Sequence, residues 1–368
     1  MTNPSIAFYS PLKPPDHPTP SGDRLMARLL IDCMTGAGYQ VELASKLRAF
    51  VKNSDGHTEV EQLKIHAQSE ILRLTSLWTQ QQAPALWFCY HPYYKSPDLI
   101  GPVLCKTFHI AYITAEASYS QRRTQGVWGA LQAQVLTSIN NAAVNICFTE
   151  RDKIGLQHAA PAANLVALRP FIDTAAFAQQ HSCPEAPHLA TVAMMRAGDK
   201  MDSYISLAAA LERLLHLPWS LSVVGDGPLR SEVQALFARF PAGRIIWHGL
   251  LDRADIAALF ARSTLYVWPG WGEAYGLAYL EAQAAGLPVI AFDTAGVPEV
   301  VDAQYSGILT AAGDDKLFAE AVAKFLNNPQ ERAQVSQRAR SHVLLKHGFE
   351  QARTALDLIL QDYLGSTS

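Results

Sequence analysis

The sequence predicts an α/β protein of two doubly wound, Rossmann-like domains, and three observations predict it. Short apolar runs rich in Val, Ile and aromatic residues alternate with longer helical patterns, as parallel βα units do. Those runs are almost continuously hydrophobic, which fits strands covered on both faces. The 368 residues are enough for two domains of ~150 residues or somewhat more.

The elements follow in order. Ser5–Ser10 (SIAFYS) reads as a first strand, followed by a Pro-rich loop. A helix from Gly22 to Ala37 carries Leu25, Leu29, Leu30 and Met34 on one face, and Gly38 stops it. Gln40–Ala44 is a second strand, residues 57–82 a long helix, and Leu86–Tyr90 (LWFCY) a buried strand. A helix at Asp98–Phe108, a strand at Ile110–Thr114, a helix at Val127–Ala142 and a strand at Val144–Phe148 complete the first series. Strands of the second series read at Leu189–Met194, Ser220–Val224, Arg244–Trp247, Leu265–Trp268 and Pro288–Phe292, with helices between. The pattern breaks at Leu168–Phe177. Residues 176–187, with Pro184 and Pro187, suit a linker. Asp315–Leu364 reads as almost entirely helical.

Composition excludes several classes. With 49% hydrophobic and 17% charged residues, the chain falls outside the disordered, collagenous and coiled-coil classes. A net charge of −3 lacks the basic excess of a nucleic-acid binder, so no nucleic-acid partner is expected. Cys33, Cys89, Cys105, Cys147 and Cys183 are odd in number and form no C-x-x-C pair, which argues against a disulfide framework or a zinc site. No apolar run reaches the ~18 residues of a membrane span, and the start of the chain has no basic n-region. A soluble, cytoplasmic protein is expected. Residues 1–180 carry 15 Lys/Arg against 13 Asp/Glu, and the remainder 15 against 20. The slight basic excess of the N-terminal half is compatible with a peripheral contact on an anionic membrane.

The most informative segment is 265–301. A strand ends at Trp268, a loop follows with Pro269, Gly270, Gly272 and Glu273, and a helix starts near Gly276 and runs through Glu281. A helix start offers unpaired N–H groups and partial positive charge, which stabilise a phosphate, and Gly276 permits close approach of the backbone. Glu281, one turn in, can accept hydrogen bonds from a ribose diol, whereas Glu273 meets whatever lies beyond the phosphate. The next strand ends in Asp293-Thr294-Ala295-Gly296-Val297-Pro298-Glu299, which reads as the opening of another helix with Pro near its first position. Two adjacent helix starts are thus expected at one site. Ligands of doubly wound sheets bind beyond the carboxyl ends of the strands.

The run EAYGLAYLEAQAAGLPVIA, followed by AGVPEVV and SGILT, resembles the E-x7-E signature of the family-4 retaining glycosyltransferases of GT-B fold, the glycosyl transferases group 1. Leu221–Arg230 (LSVVGDGPLR), Arg244–Leu250 (RIIWHGL), Arg169–Phe177 (RPFIDTAAF) and Pro20–Arg24 (PSGDR) resemble further stretches of that family. The likeness covers nearly all of the C-terminal half and, in the N-terminal half, mainly the layout. It implies a GT-B architecture, two doubly wound domains facing across a cleft. The N-terminal acceptor domain spans 1–172 and is completed by a helix at 346–368; the donor domain spans 173–345.

What the resemblance implies chemically is transfer of a sugar from a nucleotide-diphosphate sugar, UDP- or GDP-type, to an acceptor hydroxyl on a glycan, lipid or small molecule, with retained configuration. It places Glu281 at the donor ribose and Glu273 at the donor sugar. The amides of Tyr275, Gly276 and Leu277 hold the diphosphate, the backbone of His248, Gly249 and Leu250 meets the base, and Gly22, Gly225, Asp226 and Gly227 line donor loops. No metal and no cofactor are expected, since this fold neutralises the diphosphate with basic side chains and helix ends. The same fold also serves non-catalytic sugar-nucleotide-binding proteins and sugar-nucleotide epimerases. No G-x-G-x-x-G follows either domain's first strand, which disfavours a dehydrogenase.

One departure concerns charge. The family places Arg at the end of the first donor-domain strand and Lys about five residues later. Here Met194 or Met195 holds the Arg register, Arg196 is displaced, and Lys200 keeps a fitting position. Lys200 and Arg196 are expected to stabilise the leaving group. In the N-terminal half, His91 follows the strand LWFCY and Glu116 follows IAYIT, both at loop tops, as acceptor-side candidates. His109, just before a strand, reads as structural. Most tryptophans read as core, and Trp271, in the loop beside Glu273, as a ring that stacks on a sugar.

Overall fold

A computed structural model describes residues 3–19, 21–178, 187–303 and 305–364. Pro20, Cys183, Pro184 and residues 365–368, the end of the expected C-terminal helix, lie outside the described residues. The chain divides into two compact units, Met1–Arg169 with Phe349–Ser368, and Pro170–Gly348.

The first unit contains β1 (Ser5–Tyr9), α1 (Gly22–Gly36), β2 (Gln40–Leu43), α2 (His57–Gln80), β3 (Leu86–Tyr90), α3 (Gly101–Phe108), β4 (Ala111–Ala115), α4 (Gly126–Asn141), β5 (Val144–Cys147), α5 (Glu150–Ala159) and β6 (Leu165–Ala167). Its strands form one sheet in the order β2-β1-β3-β4-β5-β6, every pair parallel. β3 is buried at every residue, as its unbroken apolar run requires. Trp87 and Tyr9 lie in the core on one side of this sheet with Trp78 from α2. α3 starts three residues later than its sequence pattern because Asp98 caps it, accepting from Ile100 N and Gly101 N at 2.9 and 2.8 Å.

The second unit contains α6 (Ala175–Ala178), β7 (His188–Val192), α7 (Asp199–Glu212), β8 (Ser220–Val224), α8 (Arg230–Leu236), β9 (Ile245–Gly249), α9 (Arg253–Phe260), β10 (Leu265–Val267), α10 (Leu277–Ala284), β11 (Val289–Asp293) and β12 (Gly307–Ala311). The sheet order is β12-β11-β10-β7-β8-β9, again all parallel. The helices α11 (Asp315–Asn327) and α12 (Pro329–Lys346) follow. The helical tail breaks where Asn328 caps α12 by accepting from Glu331 N at 3.1 Å. Phe171 and Ile172, expected at the end of the first domain, fall in the second unit, where Ile172 N donates to His347 O at 3.0 Å. The expected linker begins as the short helix α6.

The last helix, α13 (Phe349–Leu364), belongs to the first unit. Arg353 Nη1 donates to Gly36 O at 3.3 Å, and Asn164 Nδ2 donates to Tyr363 Oη at 2.7 Å.

Two corrections follow. The segment after Gly296 is a single 3₁₀ turn, Val297–Glu299, and not a helix. A three-residue turn cannot build the macrodipole of a helix start, so of the two starts expected in this segment only that of α10 forms. The elements α5, β6 and β12 were not assigned by sequence. β6 and β12 are the last strands at their sheet edges and are partly exposed, which weakens their apolar pattern.

Strand order reverses between β1 and β3 in the first sheet and between β7 and β10 in the second. At such a reversal, neighbouring loops leave toward opposite faces and open a crevice at the carboxyl edge. Loops at these two positions carry the side chains described next. Among the described residues, no helix is long and apolar enough to cross a membrane.

Candidate active site

In the second unit the loops after β7 and β10 meet. Lys200, in the first turn of α7, donates to Glu273 Oε1, which also accepts from Trp268 Nε1 at 3.0 Å. The Lys200 ammonium lies 5.6 Å from the Trp268 ring centroid. Both charged side chains are about one-sixth exposed, at 15% and 16%. Glu273 is fixed from its backbone as well, with its N–H on Gly270 O at 3.2 Å and its C=O accepting from Gly296 N at 3.1 Å. The loops after β10 and β11 are therefore tied together at the residue expected to meet the donor sugar.

Gly276 precedes α10 with φ +80°, and a Cβ there would lie 2.7 Å from the Tyr279 ring. No other residue type fits without displacing that ring. No side chain caps this helix start, and Tyr275 and Leu277 flank it as buried anchors. Glu281 is 8% exposed. Burial pushes its carboxyl up to about 7, against the pull of Arg253. Arg253 Nε stands 4.0 Å from Glu281 Oε1, while Arg253 Nη1 donates to Asp173 Oδ2 at 3.1 Å. Sequence reading missed Arg253. The available signal was a cation at the first position of a helix following a strand's carboxyl end.

The loop after β8 is shaped by close packing. A Cβ on Gly225 would lie 1.9 Å from Ala193 O, because this loop continues the ladder beside the end of β7, with Ala193 N on Val224 O and Met195 N on Asp226 O, both at 3.0 Å. Gly227 is confined in the same way by Met195 O, and Asp226 Oδ1 accepts from Gly227 N at 2.8 Å. This register buries Met195 and leaves Arg196 exposed, with no ion pair among the described residues. Arg196 does not join the Lys200–Glu273 pair.

His248 is held from its ring, with Nε2 at 2.8 Å from Ser222 Oγ. Gly249 O accepts from Gly225 N at 2.8 Å, and Leu250 is exposed. Trp271, expected as a sugar platform, is half-buried. Its Nε1 donates to Ser206 Oγ at 3.2 Å, and its ring meets Phe292 edge-on at 5.4 Å. It braces the loop against α7 and β11.

In the first unit, His91 and Glu116 take the first positions after β3 and β4, with φ of 61° and 56°. Non-glycine residues rarely adopt this left-handed conformation, and such strain gathers at functional sites. His91 N donates to Ala115 O and Glu116 N to Ile146 O, both at 2.8 Å. Glu116 is buried and accepts from Tyr90 Oη at 2.7 Å. His91 Nδ1 lies 3.2 Å from Asp23 Oδ1, on the first turn of α1. Burial opposes the imidazolium, yet Glu116, Asp23 and Asp152 outweigh it and raise the His91 pKa to about 9. Gly22, beside Asp23, faces open space. Asp23, Tyr90 and Asp152 were not singled out by sequence, since nothing local marks them. His109 also has a positive φ, at the C-cap of α3, as its structural reading allows.

The architecture is that of the two-domain α/β GT-B proteins. Sucrose-phosphate synthase from Thermosynechococcus elongatus superposes with a TM-score of 0.78 at 17% identity, over 99% of this chain and 100% of that one. The Anabaena protein HepE in complex with UDP gives 0.73 at 15% identity, over 97% and 100%. The family model of glycosyl transferases group 1 matches residues 177–342. A D-inositol 3-phosphate glycosyltransferase of Saccharomonospora viridis is 36% identical over 88 residues, which is 24% of this chain and 20% of that protein. The chain spans less than half the length of the curated relatives it matches.

Proposed function

We propose that this chain is a retaining glycosyltransferase that moves a sugar from a nucleotide-diphosphate sugar of UDP or GDP type to a hydroxyl of a glycan, lipid or small-molecule acceptor, without a metal ion. The observation that carries this reading is the meeting of Lys200 with Glu273 and Trp268 at the β7/β10 reversal, from 73 residues apart in sequence. Gly276, three residues after Glu273 in the same loop, leads into α10. The match to the group 1 family over 177–342 supports the same class.

In this reading Glu281 accepts from the donor ribose, and Arg253 orients it. The start of α10 and Lys200 hold the diphosphate, and Glu273 positions both Lys200 and the donor sugar. The acceptor oxygen bonds to the anomeric carbon on the face from which the diphosphate departs. The bond from that carbon to the phosphate oxygen breaks, and the acceptor proton passes to the leaving phosphate. Charge grows on that phosphate during the step, so a fixed cation there favours the transition state over the ground state. Glu116 and His91 are the acceptor-side groups. The protein works in the cytoplasm, with a peripheral membrane contact where the acceptor is lipid-linked.

A thermal-shift screen with UDP, GDP and ADP sugars tests the donor. A ligand at 100 times its Kd adds about 2.7 kcal/mol to stability. Absence of a shift with every donor overturns the reading. For a donor that binds, the anomer formed, read by NMR, tests retention. Turnover that is lost in EDTA and restored by Mg²⁺ would refute metal independence.

A further inference from the structure

Beyond His91, the carboxyl edge of the first sheet carries a second group of side chains that the reading above does not use. Lys95 and Arg123 come from the loops after β3 and β4 and share two aromatic rings. Lys95 Nζ lies 4.6 Å from the Trp128 centroid and 5.9 Å from that of Tyr94. The Arg123 guanidinium carbon lies 5.1 and 5.8 Å from the same two. Neither cation forms an ion pair among the described residues, whereas Lys46, Lys64 and Arg73 on the same unit all do.

Two like charges gathered over one ring pair repel each other. Burial and then Arg123 hold the Lys95 pKa below its ordinary value. The fold nevertheless holds the loops that carry the two cations and the Trp128 ring beneath them. Lys95 O accepts from Val51 N at 2.8 Å, and Trp128 Nε1 donates to Val51 O at 3.2 Å. The buried Gln132 clamps the Arg123 loop, accepting from Ser120 N at 2.9 Å and donating to Arg123 O at 3.1 Å. A pair of cations without ion-pair partners among the described residues, on loops held in place, is matched by a dianion, and prior ordering of the loops lowers the cost of binding one. The rings run on toward the charged pair, with Tyr94 to Tyr93 at 5.3 Å and Tyr93 to His91 at 5.2 Å.

We propose that Lys95 and Arg123, over the Tyr94–Trp128 ring pair, form a binding site for a phosphate-bearing acceptor, with its phosphoryl group between the two cations and its hydroxyl-bearing part along the Tyr93 side toward His91. The anion site stands on this geometry alone, and only its assignment to the acceptor rests on the transferase reading.

The experiment compares the full chain with its Lys95→Gln, Arg123→Gln and doubly substituted forms. Binding of inorganic phosphate, glucose 6-phosphate and glucose is measured by calorimetry at low salt, and binding of phosphatidylcholine vesicles with and without phosphatidic acid by sedimentation. UDP- and GDP-sugar binding is followed in parallel. The expected result is a Kd for glucose 6-phosphate raised about tenfold by each substitution and more by the pair, at the strength of a charge-assisted hydrogen bond. Glucose binding should be unaffected, and phosphate affinity should fall as salt rises. If only phosphatidic acid vesicles show the loss, the phosphate is carried on a lipid and the site stands. Equal binding by the unsubstituted and doubly substituted chains, or no saturable binding of any phosphate probe to the unsubstituted chain, overturns the proposal. If phosphate binding follows Lys95 and Arg123 but no nucleotide sugar binds, the transferase reading fails and the anion site stands. The reverse result spares the reading and removes the site.

Discussion

Both units place charged side chains where strand order reverses, and they build those places by opposite means. The second unit uses glycine. Gly225 is fitted against Ala193 O, and Gly276 leads into α10 at φ +80° with no room for a side chain. The first unit puts His91 and Glu116 into left-handed backbone directly after β3 and β4. Glycine at a loop top brings backbone close to a ligand, whereas a strained His or Glu aims a side chain at one. Backbone recognition suits a constant diphosphate, and side-chain recognition suits an acceptor. Ala295 marks the limit of the contrast, since the second unit also holds one alanine at φ 49°. Glu281 and His91 differ in charge too. Burial raises the Glu281 pKa to about 7, so this carboxyl is partly neutral before ligand arrives. His91 is held charged by Glu116, Asp23 and Asp152 against burial.

The largest effect should come from breaking the second unit's ion pair. Lys200→Ala removes the cation that the proposed reading sets at the leaving phosphate, and leaves Glu273, about one-sixth exposed, with Trp268 Nε1 as its side-chain partner among the described residues. Turnover should fall about 10²–10³-fold, as for other lost preorganised donors, with nucleotide affinity falling less. Steady-state kinetics with a verified donor and acceptor check this, and an unchanged kcat would place charge stabilisation elsewhere.

Glu281 comes next. Glu281→Ala should cost about 1.5–3 kcal/mol of nucleotide binding if its carboxylate grips the ribose. Its pKa gives a second readout. The unfolded chain ionises this group near 4.5 and the folded chain near 7, so ionisation favours the unfolded state between those values. Stability of the ligand-free protein should fall as pH rises through that window and level off above it. Glu281→Gln should flatten this part of the profile. Nucleotide binding near pH 6 should release protons, visible as a buffer-dependent enthalpy in calorimetry.

His91 sharpens the contrast from the other side. Its pKa is raised from 6.5 to about 9, so its stabilising contribution is complete below about 6.5 and lost as pH rises through about 9. Asn tolerates left-handed backbone, so His91→Asn separates charge from conformation. At pH 6 the variant should be less stable by about 3 kcal/mol, and the gap should close above pH 9. A gap that does not change with pH, read from denaturant midpoints, would mean that His91 serves the backbone turn and not the charge cluster.

What sequence made legible was what one segment states by itself. The strand rhythm of both sheets and the Glu273–Gly276–Glu281 spacing are local patterns, and both series of strands appear in the structure. His91 and Glu116 could be placed at loop tops because each directly follows an apolar run. What failed depended on distant partners. Arg253 acquires its meaning from Asp173 and Glu281, and His91 its charge from Asp23. The brace on Trp271 was not legible, because a loop tryptophan carries no mark of the Ser206 hydroxyl that holds it. The 3₁₀ turn at Val297–Glu299 was misread because Gly followed by Pro signals how a helix starts and not how far it runs.

Arg196 separates charge in the right segment from charge at the right place. Sequence pairs it with Lys200 as the only other cation near the end of β7, in a register where Met194 and Met195 stand instead of Arg. In the fold, Met195 is the buried residue: its N–H bonds to Asp226 O and its C=O accepts from Leu229 N, both at 3.0 Å. Arg196 is turned out into solvent. An exposed cation is screened and contributes up to about 1 kcal/mol, which corresponds to about fivefold in rate. Arg196→Ala should therefore lower kcat by less than about tenfold, far short of Lys200→Ala. Its effect should shrink further at high salt, because the Debye length falls to about 3 Å at 1 M. A loss as large as that for Lys200→Ala would mean that donor binding draws Arg196 inward. Met194→Arg in the Arg196→Ala background provides the complementary test. Recovery of turnover there would show that the family's register remains usable, and no recovery would show that Lys200 and the start of α10 already complete the charge.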